Sequence, residues 1–283
     1  MNTPSTASSA LSADMQSRLA LAHKLADAAR DVTLALFRRH GETDNKLGEG
    51  DFDPVTKADR DAEAVMREIL TREVPDDAIN GEEFGVTEGT SGWTWYLDPV
   101  DGTRAFIAGL PSWTTLIGLV RDGSPEIGII DQPYLGERYT GWTNGAEINV
   151  RGAVTPLKVS DETRLTNAIL STTDPFILTP SERGAFEHLR QTARLTRYGL
   201  DAYAYARLSA GDIQLVTETG LQPHDIAALI PVVRGAGGLA CEWTGAPAML
   251  GPQLACAATQ EIMDQAVISL RRSAGRKSRI GID

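Results

Sequence analysis

Cysteine is nearly absent from this chain: of 283 residues only Cys241 and Cys256 carry a thiol. They form no CxxC pair, which excludes a zinc ribbon, a dithiol redox motif and a disulfide framework. Two buried free thiols in a reducing, cytoplasmic setting are expected. Long apolar runs are also missing. No stretch approaches the roughly 18 consecutive apolar residues of a bilayer-spanning helix, so no membrane partner is expected. Basic residues are in deficit, 27 Lys and Arg against 38 Asp and Glu, for a net charge of −11. Proteins that grip a nucleic-acid backbone usually show a basic patch, so nucleic acid is not expected as a partner. A small phosphorylated metabolite still fits, because an acidic cluster loaded with a divalent cation becomes locally positive.

What is present is an ordinary globular composition, 42% hydrophobic and 23% charged. No internal repeat or low-complexity linker appears. Apolar spacings of three and four predict helices over 15–39 and 57–73, the second stopped by Pro75. Beta-type runs follow at 93–97, 114–121, 126–131 and 138–142, with Asp122-Gly123 as a hairpin signal. Between 76 and 92 the pattern predicts a short strand and a mobile acidic loop. The second half alternates: strand 168–172, helix 181–192, strand 195–198, helix 201–210, strand 213–217. Single helices are predicted from 224 to the Gly-rich stop at 235–238, and over 260–272. Sheets and helices in layers suit this order better than a bundle or sandwich. The segments 1–14 and 274–283 read as loose tails, and 15–273 as one catalytic domain with halves at about 15–150 and 151–273.

The chemistry concentrates in Trp95-Tyr96-Leu97-Asp98-Pro99-Val100-Asp101-Gly102-Thr103. An apolar strand ends in two carboxylates, and a Gly-Thr pair stands where the next helix begins. Carboxylates hold hard divalent cations, and the first turn of a helix offers N–H groups to an anion. Together they have the layout of a phosphate-ester hydrolase. Three further acidic segments stand out: Asp53 to Asp59, Gly81-Glu82-Glu83-Phe84-Gly85, and Asp225 at the head of a late helix. Taken singly, each has a bland explanation. Asp59 and Asp225 are also suited to helix N-capping, and Glu82 with Glu83 to a solvated loop.

Gly-Glu-Glu, then Asp-Pro-Val-Asp-Gly-Thr, then Asp-Ile-Ala-Ala followed by Ala-Gly-Gly resembles the inositol monophosphatase superfamily. The resemblance runs from about Val32 to Glu242. It implies an α/β fold, a five-layered α-β-α-β-α sandwich, a homodimer, lithium sensitivity and two to three Mg²⁺ ions. Carried over by position, Glu82, Asp98 and the Val100 carbonyl would ligate one ion, and Asp98, Asp101 and Asp225 a second. Glu82 with water would complete a third. Thr103, paired with Asp59, would orient the attacking water, with Glu82 receiving its proton. Gly102 and Thr103 would hold the phosphate. These acids are expected to converge into one cation cage. His224 stands where the family usually has Trp, a change expected to alter packing rather than coordination.

Metal motifs name the reaction and not the ester. Arg104-Ala105-Phe106, Ile130-Asp131-Gln132-Pro133-Tyr134 and Arg197-Tyr198-Gly199-Leu200-Asp201 resemble the histidinol-phosphate phosphatase branch, a step of histidine biosynthesis. In that comparison Asp201 and Glu218 join Asp101 and Asp225 in the substrate pocket. A pair of carboxylates suits a cationic substrate, and Asp201 is alternatively a plain helix N-cap. Inositol 1-phosphate, a sugar bisphosphate or a 3′-phosphonucleotide are competing substrates. A scaffold that has lost catalysis is a further alternative, disfavoured because all four acidic ligands are present.

Overall fold

The computed structural model describes residues 11–39, 43–45 and 54–274, giving only the backbone course for 43–45 and 54–55. The predicted tails therefore fall largely outside the described residues, as does Asp53. Helix α1 (Ala13–Leu36) is capped by the Ser12 hydroxyl, and α2 (Lys57–Glu73) by a capping box between Thr56 and Asp59. The backbone pairs β1 (Thr43–Asn45) with β2 (Pro54–Thr56). The main sheet contains β3 (Ala78–Gly81), β4 (Gly85–Thr87), β5 (Trp93–Asp101), β6 (Thr114–Arg121), β7 (Ser124–Gln132), β8 (Glu137–Trp142), β9 (Gly145–Val150) and β10 (Ala153–Pro156). Its spatial order is β10-β9-β8-β7-β6-β5-β3-β4. The acidic loop predicted after β3 is thus partly the edge strand β4.

Short α3 (Thr103–Ile107) follows β5. Beyond the main sheet come β11 (Ile169–Ser171), α4 (Pro180–Thr192), β12 (Leu195–Arg197), α5 (Tyr203–Ser209), β13 (Leu215–Glu218), α6 (Pro223–Ile226) and α7 (Leu229–Gly235). The chain closes with β14 (Leu239–Cys241), β15 (Leu254–Ala257) and α8 (Gln260–Leu270). The second sheet has the order β12-β11-β13-β15-β14.

Period-two alternation sorts the main-sheet side chains into two cores. Trp95, Leu97, Ile117 and Ile129 pack beneath α1 and α2, whereas Leu116 and Ile130 face α5 and α7. A third core lies between the second sheet and α4 with α8. The result is the expected α-β-α-β-α stack. Cys256 belongs to the middle core and Cys241 to the outer one, on opposite faces of one sheet, so both stay free. Among the described residues no helix is long and apolar enough to cross a membrane.

One predicted helix is two. Pro231 lacks the N–H that would bond back to Ala227, and the helix breaks at Ala227 and Ala228 between α6 and α7. The break lies directly on the main sheet. Gly118, Gly128 and Gly141 are register partners across β6, β7 and β8. A Cβ on Gly118 would meet Ala227 Cβ at 2.4 Å, and one on Gly128 would meet the Ala228 carbonyl at 2.0 Å. This glycine row lets the α6–α7 backbone sit on the strands, and it sets Asp225 beside the end of β5.

Candidate metal and phosphate site

In a regular strand, Asp98 and Asp101 would point to opposite faces, since three residues separate them. The structure breaks that parity. Asp98 pairs with Leu116 but Asp101 pairs with Thr114, so three steps along β5 answer two along β6. Pro99 has no N–H for the ladder, and its carbonyl accepts from the Thr115 hydroxyl at 2.7 Å. The bulge turns both carboxylates to one side.

Parallel pairing of β3 with β5 places Gly81 opposite Leu97, and the Glu82 N–H donates to the Leu97 carbonyl at 3.1 Å. Glu82 therefore arrives next to Asp98. The following turn is held by buried Glu63 of α2, which accepts from the N–H groups of Glu83 at 2.7 Å and Phe84 at 3.2 Å. Glu63 also receives Arg67 Nε at 2.7 Å. This support for Glu82 was missed in the sequence. Its signal was a lone Glu on the apolar face of α2, beside Ala62 and Met66.

Asp98 is only 2% exposed, and its Oδ1 has no protein partner. Burial pushes its carboxyl well above the usual range; the charges of Glu82, Asp101 and Asp225 add to the rise. Asp101 Oδ2 accepts from the Ala202 N–H at 2.7 Å and the Thr114 hydroxyl at 3.3 Å. Its carboxyl is also pushed well up, by burial first and then by Asp201 and Asp225. Asp225 lies in the first turn of α6, where Oδ2 accepts from the Gln222 N–H at 2.7 Å. His224 Nε2 is 3.5 Å from Asp225 Oδ1, so the residue at the unusual position touches a predicted ligand.

Among the described residues no group of three or more acidic, histidine or cysteine side chains is arranged to hold an ion as it stands. The four acids are electrostatic neighbours rather than the closed cage expected from the sequence. The donor set still suits a hard divalent ion: it is all oxygen, with one orphaned buried carboxylate atom and carboxyls raised by burial first and then by one another's charge.

Gly102 is the N-cap of α3 with φ +81°. The left-handed backbone favours glycine, and a Cβ would meet Asp201 Oδ2 at 3.0 Å and Trp113 Cα at 3.3 Å. The Thr103 hydroxyl donates to the Val100 carbonyl at 3.1 Å. Asp59 Oδ2 accepts from the Thr56 N–H at 2.8 Å and hydroxyl at 2.5 Å. Asp59 thus closes the capping box of α2 through Oδ2, while the Thr103 hydroxyl donates at the end of β5. Burial raises the Asp59 carboxyl, and the Glu82 charge adds to that.

Asp201 does not cap α5. The N-cap is Ala202, and it makes no side-chain capping bond. Asp201 has φ +48°, which turns its carboxylate back over Gly102. Burial pushes its carboxyl up to about 6, with Arg104 pulling it down and Asp225 pushing it up. Glu218 differs from the expected pocket acid, because it is fully buried behind the site. It accepts from the Thr173 N–H at 2.6 Å, the Thr173 hydroxyl at 2.9 Å and the Thr172 hydroxyl at 3.2 Å. Thr173 also helps to hold the Asp201 carboxyl down, so Glu218 anchors a residue that acts on Asp201.

Burial raises the Glu218 carboxyl from 4.5 to about 8 despite those donors. A folded-state pKa above the unfolded one means the folded protein holds a proton that the unfolded chain releases. The associated stability is fully present below about pH 4.5 and is lost as pH rises through 8. Glu218→Gln can keep the Thr173 bonds through its carbonyl and cannot ionise. In thermal unfolding of metal-free protein, the melting temperature of E218Q relative to wild type should rise between pH 5 and 8.5. A pH-independent difference would show that Glu218 does not titrate in this window.

Residues 14–276 match the inositol monophosphatase family, nearly the whole described chain. The chain belongs to this family. The Arabidopsis thaliana bifunctional phosphatase IMPL2, chloroplastic, is 40% identical over 80% of the chain, and the match spans 64% of that relative's length, just under two thirds. A histidinol-phosphatase from Mycobacterium tuberculosis is 37% identical over 78% of the chain and 85% of its own length. The solved inositol monophosphatase of Zymomonas mobilis is 38% identical, with TM-score 0.80, covering 90% of this chain and 98% of that one. The family inositol monophosphatase thus makes the protein a phosphatase acting on phosphoric monoesters, with relatives named for different esters. Family membership leaves the ester to the pocket, where Asp201 faces Gly102.

Proposed function

We propose that this phosphatase hydrolyses L-histidinol phosphate to L-histidinol and phosphate, with Mg²⁺ at Glu82, Asp98, the Val100 carbonyl, Asp101 and Asp225. The carrying observation is the Asp201 carboxylate, which stands over Gly102 with Arg104 and Asp225 nearby. A phosphate at Gly102 and Thr103 would place the rest of the ester beside that acid. Histidinol phosphate offers it an ammonium and an imidazole. A charge-assisted hydrogen bond contributes roughly 1.5–3 kcal/mol, whereas a hydroxyl of a neutral polyol gains less. A second phosphate on the substrate would be repelled, which disfavours bisphosphates.

Phosphate monoesters hydrolyse extremely slowly unaided, so charge must be neutralised and a nucleophile aimed. Bound Mg²⁺ would supply charge neutralisation and acidify water. The chain supplies the rest. The Thr103 hydroxyl, at the start of α3, orients a water toward phosphorus, and the Glu82 carboxylate takes its proton. The new P–O bond forms as the bond to the alcohol oxygen breaks, with inversion, and that oxygen takes a proton from a water beside Asp225. No phosphoenzyme is formed.

The test is phosphate release from histidinol phosphate beside inositol 1-phosphate at matched Mg²⁺. A kcat/KM at least about tenfold higher for histidinol phosphate is expected, the scale of one charge-assisted contact. Parity or a reversed preference would refute this substrate.

A further inference from the structure

Arg104 carries a charge that the hydrolytic scheme leaves unused. It lies in the first turn of α3, directly after Gly102 and Thr103. Its Nη1 is 3.8 Å from Asp174 Oδ2, and its side chain is 65% exposed. The same guanidinium favours the ionised form of the Asp201 carboxylate.

The two acids belong to separate segments, Asp174 after β11 and Asp201 before α5. Thr173 couples them. Glu218 holds its N–H and hydroxyl, and Thr173 in turn lowers the Asp201 carboxyl. Asp174 Oδ1 accepts from the Phe176 N–H at 2.8 Å, which fixes the turn. One cation of the chain itself thus contacts Asp174 and acts on the charge of Asp201, next to the residues proposed to receive an anion.

We propose that Arg104 is a resident counter-ion: it neutralises Asp174 and Asp201 until an ester delivers an ammonium to those acids and a phosphate to Gly102 and Thr103. This inference rests on the cationic-substrate reading above and adds Asp174 and Arg104 to the determinants of specificity. A single exposed contact at 3.8 Å is weak, so the guanidinium is easily displaced. A phosphate beside the same helical turn is a better partner, through charge-assisted hydrogen bonds. An ester that carries both charges satisfies all three side chains. A cation without phosphate competes with Arg104 and binds poorly. Product release follows from the same competition, because the alcohol loses its phosphate and Arg104 returns to the acids.

The test is a calorimetric titration of L-histidinol, without phosphate, into Mg²⁺-loaded wild type, Arg104→Gln and the double variant R104Q/D174N. R104Q should bind histidinol about five- to tenfold more tightly than wild type, the scale of one or two displaced exposed ion pairs. In the double variant that gain should shrink, because only Asp201 is then left without its counter-ion. Unchanged or weaker binding by R104Q overturns the proposal, and a gain retained in full in the double variant removes Asp174 from it. Turnover of histidinol phosphate by wild type is scored separately. Its absence sinks the substrate reading, whereas turnover with no tighter binding in R104Q sinks only the counter-ion. Because Arg104 is largely exposed, its replacement leaves the core untouched.

Discussion

Replacing Asp98 with Asn should abolish phosphate release from every ester while the protein stays folded. The expected loss is at least on the order of 10³-fold, the upper range for removing one preorganised electrostatic group. Asp98 stands at the centre of the acidic group: it is buried, has an unpartnered Oδ1, and is pushed up by burial and then by Glu82, Asp101 and Asp225. Asn has nearly the same shape but offers an NH₂ where a cation needs an oxygen. The stability change should have the opposite sign. A raised carboxyl pKa in the folded protein means stability is lost as pH rises through that pKa. Asn does not ionise, so metal-free D98N should melt at or above wild type near neutral pH. Saturating Mg²⁺ should raise the melting temperature of wild type by mass action and leave D98N nearly unmoved. An active D98N, or one with a wild-type Mg²⁺ shift, would overturn the metal assignment.

Much of the fold was legible because local signals and tertiary needs agree. The helix predicted over 57–73 is α2, since its apolar spacing, the Thr56–Asp59 box and Pro75 all give the same boundaries. β6 matched its prediction for a related reason: it is a buried apolar run between the two central cores. Strands β14 and β15 were missed. They are three and four residues long and built of Leu, Ala and Cys, so neither alternation nor β-branching marks them. β9 was hidden by polar Glu147 and Asn149, although Asn144-Gly145 ahead of it carries a hairpin signal.

At the site, residue identities were legible and parity was not. Asp98 and Asp101 were singled out as a pair, yet three residues apart on an ordinary strand they would diverge. What joins them is a register shift that depends on β6, a long-range partner. Glu218 shows the same limit. Its sequence position suggested a pocket acid, but burial places it behind Thr172 and Thr173. Arg104 and Asp174 meet across 70 positions of chain, and no local pattern announces such a pair.

Asp201 gives the second large effect, and its backbone dictates the variant. At φ +48° a non-glycine residue is strained, and Asn tolerates this region better than Ala does. Asp201→Asn therefore removes the charge with the least disturbance to the turn, whereas Asp201→Ala mixes both effects. In D201N, kcat/KM for histidinol phosphate should fall roughly 10- to 100-fold, matching the loss of a charge-assisted bond of about 1.5–3 kcal/mol. Glycerol 2-phosphate, which has no cation, should lose less than about threefold. Removing one negative charge from beside Asp101 and Asp225 also eases the approach of any phosphate, which offsets part of that small loss on the neutral ester. Steady-state kinetics on both esters with each variant separates the causes. A tenfold or greater loss on histidinol phosphate alone is the signature of charge recognition. Equal losses on both esters would assign Asp201 to holding the turn at Gly102, and the preference for a cationic alcohol would then need another source.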